Sequence, residues 1–203
     1  MHSNANINAE LITRFFDRES CFDVEPEPGV VDLAAHSLER GGWKESIAGS
    51  EDFWEAARAV AKLTLLPRKG LIVSGAFGCG KTALLRALAF CMKSKYNWVD
   101  MAESEHVNCL NAEVWPNWNN DAMSRYIVLD DLGAEASVNE YGVMHEYAGE
   151  FIVRYHLRGR GRLFITTNLT PEELETRYTM RVCSRIKELT IPLHLEGEDK
   201  REF

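Results

Sequence analysis

Gly75-Ala76-Phe77-Gly78-Cys79-Gly80-Lys81-Thr82 decides the fold. An apolar run, Leu71-Ile72-Val73, precedes it, and an apolar-periodic run from Lys81 to Met92 follows, so strand, glycine-rich turn and helix come in direct succession. In the pattern GxxxxGK[ST] that order has a mechanical meaning. The glycines let backbone N–H groups point inward around phosphate oxygens, and the helix N-terminus adds its positive end there. The lysine ammonium reaches the outer phosphates, and the hydroxyl reaches magnesium. Gly75, Ala76, Phe77, Gly78, Cys79, Gly80, Lys81, Thr82 and Ala83 are therefore the candidate cofactor-binding residues, with Lys81 also catalytic and Thr82 a metal ligand. The plain alternative is a glycine turn beside a surface lysine. A sharper rival is the dinucleotide fingerprint GxGxxA, which Gly78-Cys79-Gly80-Lys81-Thr82-Ala83 also satisfies, with Asp100 at the distance of a ribose-binding acid.

Residues downstream choose between them. Arg125-Tyr126-Ile127-Val128-Leu129-Asp130-Asp131 is an apolar strand ending in two carboxylates, which favours the triphosphate reading. Asp130 is placed to hold magnesium, usually through water, and Asp131 to orient or deprotonate an attacking water. Two solvated acids in a turn are the bland reading. Leu163-Phe164-Ile165-Thr166-Thr167-Asn168 is a further apolar strand that ends in hydroxyls and an amide. Asn168 can hydrogen-bond a γ-phosphate or the attacking water. Ordinary turn chemistry before Thr170 is its alternative.

Outward from these motifs, strands and helices alternate. A second strand is expected at Trp98-Val99, and the two just described give strands at Tyr126 to Leu129 and Leu163 to Thr166. Ser137 and Glu140 have the spacing of a capping box for a long helix reaching His156, and Thr170-Pro171-Glu172-Glu173 repeats that device. Strands separated by helices predict an α/β fold with a mainly parallel sheet, covered on both faces, whose ligands bind at the carboxyl ends of the strands. Residues 1–49 show no sustained period and read as an N-terminal arm with one or two short helices. Ser50 is placed to cap a helix with Glu51 and Asp52 in its first turn and Phe53, Ala56, Val60 and Leu63 on one face, ended by Pro67.

Composition sets outer bounds. The 203 residues suffice for one core, and 45% hydrophobic with 27% charged residues is a globular mixture. A net charge of −8 prevents the whole surface from acting as a polycation, so nucleic-acid contact requires a local patch. Arg154, Arg158, Arg160 and Arg162 form the best one, with a solvated helix end as the alternative. Five cysteines without a CxxC pair, no signal-peptide pattern and no apolar run near the roughly 18 residues of a membrane span point to the cytoplasm.

Taken together, GAFGCGKT, YIVLDDLGAE and FITTNLTPEEL, followed by RYTMRVCSRI, resemble the DnaC/IstB family of AAA+ ATPases over Gly70 to Arg201. The resemblance implies a parallel-sheet P-loop NTPase core of the AAA+ ASCE type over 50–203, with the short helical arm 1–49 before it. It implies ATP and Mg2+ as cofactors and slow, assembly-dependent hydrolysis. Arg185 matches the family's arginine finger, which enters the ATP site of a neighbouring subunit, with Arg181 one turn earlier on the same face; solvation of an amphipathic helix is the alternative. Arg201, in Gly197-Glu198-Asp199-Lys200-Arg201, matches a second sensor, against a charged tail. The implied partners are further copies of the chain, single-stranded DNA, and a replicative helicase or a transposase. Two features depart from the family: Asp131 stands where many AAA+ proteins have glutamate, and the chain before Gly75 is short for a loader. A helicase loader in DNA replication is the first reading. A transposition helper, a P-loop small-molecule kinase and a nucleotide-dependent binding module are the others.

Overall fold

The computed structural model describes residues 24–66, 69–93, 104–109, 126–141, 143–157 and 162–197. Their strands are β1 Gly70–Gly75, β2 Ser104–Asn108, β3 Tyr126–Leu132, β4 Val138–Glu140, β5 Val143–His145, β6 Arg162–Thr167 and β7 Thr190–Leu195. Their helices are α1 Pro28–Arg40, α2 Glu45–Ala48, α3 Ser50–Leu65, α4 Lys81–Lys93, α5 Tyr147–Leu157, α6 Pro171–Arg177 and α7 Met180–Leu189.

Five strands form one parallel sheet in the order β2-β3-β6-β1-β7. Parallel strands covered on both faces need apolar residues at consecutive positions, which is why Leu71-Ile72-Val73, Ile127-Val128-Leu129 and Leu163-Phe164-Ile165 are unbroken runs. Alternation then divides them. Leu71, Val73, Val128 and Phe164 join Leu38, Trp43, Phe53, Ala56, Val60, Leu84 and Leu88 in one core under α1, α3 and α4. Ile72, Ile127, Leu129, Leu163 and Ile165 join Ile152, Tyr155, Leu174, Val182 and Ile186 in the other, under α5, α6 and α7. Fully buried Phe164 is a keystone of the first core, and truncating such a side chain to alanine costs about 3–5 kcal/mol. Because β6 lies between β1 and β3, the ends of all three strands meet at one edge, with Thr167 opposite both Ser74 and Leu132.

The structure departs from the sequence reading at several points. Ser50 is the first residue of α3, and the cap is Gly49 at φ 92° without a side-chain hydrogen bond. Asp52 is buried, and it accepts hydrogen bonds from the backbone N–H groups of Glu196 (3.0 Å) and Gly197 (3.1 Å). Ser137 and Glu140 cap no helix. Val138–Glu140 and Val143–His145 pair as an antiparallel hairpin instead, with Tyr141 at φ 52°, and α5 begins only at Tyr147. Two valines favour the strand there, and the Ser137 hydroxyl is taken by Glu146. The Thr170 box forms as read, with Glu173 N–H donating to Thr170 Oγ1 (3.2 Å) and Thr170 N–H to Glu173 Oε2 (2.7 Å). Trp98-Val99 and Pro67 lie outside the described residues, and the strand beside β3 is Ser104–Asn108. Within the expected arm, Pro28 starts α1, where its missing N–H costs nothing, and Ala34, Ala35 and Leu38 pack into the first core. No helix among the described residues is long and apolar enough to cross a membrane.

Candidate nucleotide site

The loop between β1 and α4 is shaped by glycines. Gly75, Gly78 and Gly80 have φ of 150°, 75° and 98°, and a Cβ on Gly75 would stand 2.5 Å from the Leu195 carbonyl oxygen and 2.9 Å from Cys79 Sγ. Only glycine fits there. Ala76, Phe77 and Ala83 are exposed, Phe77 at 67%, whereas Cys79 is buried. Lys81 is also buried, and its ammonium curls back onto the loop, donating to the carbonyls of Gly75 (2.9 Å) and Ala76 (2.7 Å).

Beside the loop, Thr82 Oγ1 donates to Asp130 Oδ1 at 2.9 Å. Thr166 Oγ1 donates to the same oxygen at 2.6 Å and accepts the Asp131 N–H at 2.8 Å. Asp131 is a non-glycine residue at φ 58°, a left-handed conformation that costs about 1–2 kcal/mol. The register of β3 against β6 shifts between Leu129 and Leu132, and the two hydroxyls of β6 span that irregularity: Thr166 holds Asp130 and Asp131, and Thr167 donates to the Leu132 carbonyl at 2.7 Å. Thr166 was not singled out from the sequence, although two consecutive threonines ending an apolar strand were the signal.

Asn168 lies half-buried where β6 ends, and its Oδ1 is buried without a hydrogen-bond partner among the described residues. It lines a cavity of about 280 Å³ with Ser74, Ala76, Thr170, His194 and Glu196. A buried orphan acceptor beside the phosphate loop marks a place where a donor is wanted. His194 Nδ1 is 3.1 Å from Ser74 Oγ. Burial pushes the His194 pKa below its ordinary value; Glu196 and Asp52 oppose this, and Lys81 adds to it. On the acidic side of the site, Cys109 donates its backbone N–H to the Asp130 carbonyl (2.9 Å), and burial, then Glu135, Asp130 and Asp131, push its thiol pKa up.

Three further residues, Glu135, Arg177 and Tyr178, were not read from the sequence. Glu135 is buried just after Asp131, and Arg177 and Tyr178 reach it from the end of α6. The DDLGAE string contains Glu135, but only the tertiary structure supplies its partners.

The arginines are dispersed. Arg185 Nη1 contacts both carboxylate oxygens of Glu188 at 2.6 Å, and His156 Nε2 is 2.6 Å from Glu188 Oε2. Burial alone would raise the Glu188 pKa, but Arg185 and His156 hold it below the ordinary value. Arg181 is exposed on the same helix. Arg154 pairs with Glu150 at 3.6 Å, and Arg162 is buried as the first residue of β6, so it joins no exposed basic strip. Arg158, Arg160, Arg201 and Asp100 lie outside the described residues.

The chemistry present fits a magnesium nucleotide. A hydroxyl and a carboxylate touch beside a loop too tight for a Cβ, with an ammonium bonded to exchangeable carbonyls.

No family model matches the chain. The replicative helicase loader DnaI of Bacillus subtilis (strain 168) is 27% identical over 151 residues, which are 66% of this chain and 48% of that protein. The chain thus spans about half the length of the curated relative it matches. Among solved structures, one described as a primosome component from Streptococcus pyogenes serotype M3 matches 74% of this chain and 82% of its own, with TM-score 0.55 and 24% identity. A DnaC helicase loader matches 89% and 98% at TM-score 0.49 and 18% identity, too loose a likeness to carry an argument. The glycine loop between β1 and α4, the acidic end of β3 and the parallel order β2-β3-β6-β1-β7 make this chain an α/β protein with a parallel-sheet P-loop core, similar in sequence to the helicase loader DnaI.

Proposed function

We propose that the chain binds ATP with magnesium at the Lys81 loop and hydrolyses it slowly in an assembly of copies, as a helicase loader acting in DNA replication with a replicative helicase and single-stranded DNA. The observation that carries this reading is the 2.9 Å contact between Thr82 and Asp130, which joins the two magnesium-ligand candidates. The helicase-loader relative favours a helicase over a transposase as the partner.

Each residue has a role in this reading. Lys81 leaves the carbonyls of Gly75 and Ala76 to meet the outer phosphates. Thr82 and Asp130 hold the magnesium, which when bound supplies charge that offsets the negative charge on the transferred phosphoryl group. Asp131 orients the attacking water and accepts its proton, while the orphan amide oxygen of Asn168 helps to fix that water. Arg185 leaves Glu188 and enters the site of a neighbouring copy, where a fixed guanidinium stabilises developing charge. The Arg185–Glu188 pair also supports a second reading, a nucleotide-dependent binding module whose turnover is negligible while that pair stays closed.

The test is ATP turnover against protein concentration, with and without single-stranded DNA, for wild type, Lys81→Ala and Arg185→Ala. Cooperative, DNA-stimulated turnover lost in both variants, with nucleotide binding retained in Arg185→Ala, is the expected result. Specific activity independent of concentration, DNA and Arg185 would overturn the shared-site mechanism.

A further inference from the structure

Glu135 is a carboxylate with 2% of its side chain exposed, a placement tolerated only when its oxygens are well satisfied. Oε2 accepts the Gly133 N–H at 2.8 Å, two residues beyond Asp131, whose own carbonyl accepts the Ala134 N–H at 3.0 Å. Oε1 accepts the Tyr178 hydroxyl and lies 3.6 Å from Arg177 Nη2, and that same guanidinium donates to the Glu135 backbone carbonyl. Arg177 also lies 3.4 Å from Glu146 Oε2 and 5.6 Å above the Tyr178 ring.

These partners occupy particular places in the chain. Gly133 belongs to the loop that leaves Asp131. Arg177 ends α6, whose capping residue Thr170 follows Asn168 by two positions. Tyr178 is the joint from which Thr179 caps α7, the helix bearing Arg181 and Arg185. One buried carboxylate therefore touches the acidic loop on one side and the root of the arginine helix on the other. Asp131 has a second hold of its own, because Thr166 Oγ1 accepts the Asp131 N–H.

We propose that Glu135 is a positioning residue that fixes the root of α7 to the loop following Asp131, so that the arginines which one copy offers to its neighbour are placed from its own acidic loop. This rests on the shared-site reading above. A guanidinium that must reach across a subunit boundary is useful only if its helix is rigidly anchored, since small misplacements cost large factors in rate.

The experiment mixes full chains in which Lys81→Ala supplies arginines but no working loop and Arg185→Ala supplies the loop but no finger. Turnover in the mixture reports a single kind of junction. Adding Glu135→Gln to the arginine-supplying chain is expected to lower mixed turnover roughly five- to tenfold. Adding it to the loop-supplying chain is expected to lower turnover far less and to leave the dissociation constant for a fluorescent ATP analogue unchanged. A general folding defect would not distinguish the two arms. Arg177→Lys keeps the charge but loses the forked geometry, lies at a partly exposed site, and carries the same comparison if Glu135→Gln does not fold. Undiminished turnover with either variant in the arginine-supplying chain, or an equal or larger loss when it is in the loop-supplying chain, overturns the proposal. If the parent mixture shows no turnover, the shared-site reading itself fails, before Glu135 is altered.

Discussion

Thr166 and Asp130 are joined at 2.6 Å across neighbouring strands, and the same threonine oxygen receives the Asp131 N–H. One hydroxyl thus orders both acids of the site. Thr166→Val keeps the shape, removes both bonds and leaves the Asp131 N–H without its acceptor. Loss of stability of about 1–3 kcal/mol is expected by thermal unfolding, with kcat falling more than nucleotide affinity. Unchanged kcat would mean that Asp131 keeps its position without that bond.

Asp52 presents both carboxylate oxygens to consecutive backbone N–H groups, those of Glu196 and Gly197. Asp52→Asn turns one of those acceptors into a donor facing a donor. A loss of about 1–3 kcal/mol follows. Because the Asp52 charge raises the His194 pKa, its removal should lower that pKa further, which an NMR titration of the imidazole would read.

His194 carries a pH dependence of its own. Its folded pKa lies below the unfolded value, so the unfolded chain binds the proton more readily. The stabilising contribution is complete above the unfolded pKa and is lost as pH falls from there towards the folded one. Between about pH 7.5 and 5.5, His194→Asn should lose less stability than wild type in denaturant melts. Parallel curves for the two proteins would contradict this.

Glu188 holds Arg185 on its own helix. If that pair must open for the arginine to serve a neighbour, Glu188→Gln should reduce the protein concentration needed for half-maximal ATP turnover. A partly exposed pair is worth about 0.5–1 kcal/mol, which sets a two- to fivefold shift. A shift to higher concentration would instead assign Glu188 to the assembly.

Legibility in the sequence followed the range of the interactions. The glycine turn before Lys81 and the Thr170 box were legible because their hydrogen bonds close within a few residues. The Ser137 and Glu140 spacing looked the same, yet failed because Ser137 found Glu146 and Val138 found His145 across a hairpin. β7 was missed because Pro192 interrupts its apolar run; the structure puts that strand at the sheet edge, where a missing N–H is tolerated. Polar β2, at the other edge, lacks the apolar run that marked the central strands. Asp52, Glu135 and Arg177 could be read as charged residues, but their partners are 31 to 145 positions away or depend on a turn that only the fold defines.

Trp43 is almost fully buried in the first core, and a Cβ on Gly80 would lie 3.4 Å from its Nε1. The floor of the phosphate loop is therefore laid by a residue from outside the stretch that carries the nucleotide motifs. Trp43 follows the last residue of α1 by three positions, so the chain that leaves that helix comes to rest against Gly80, next to the lysine.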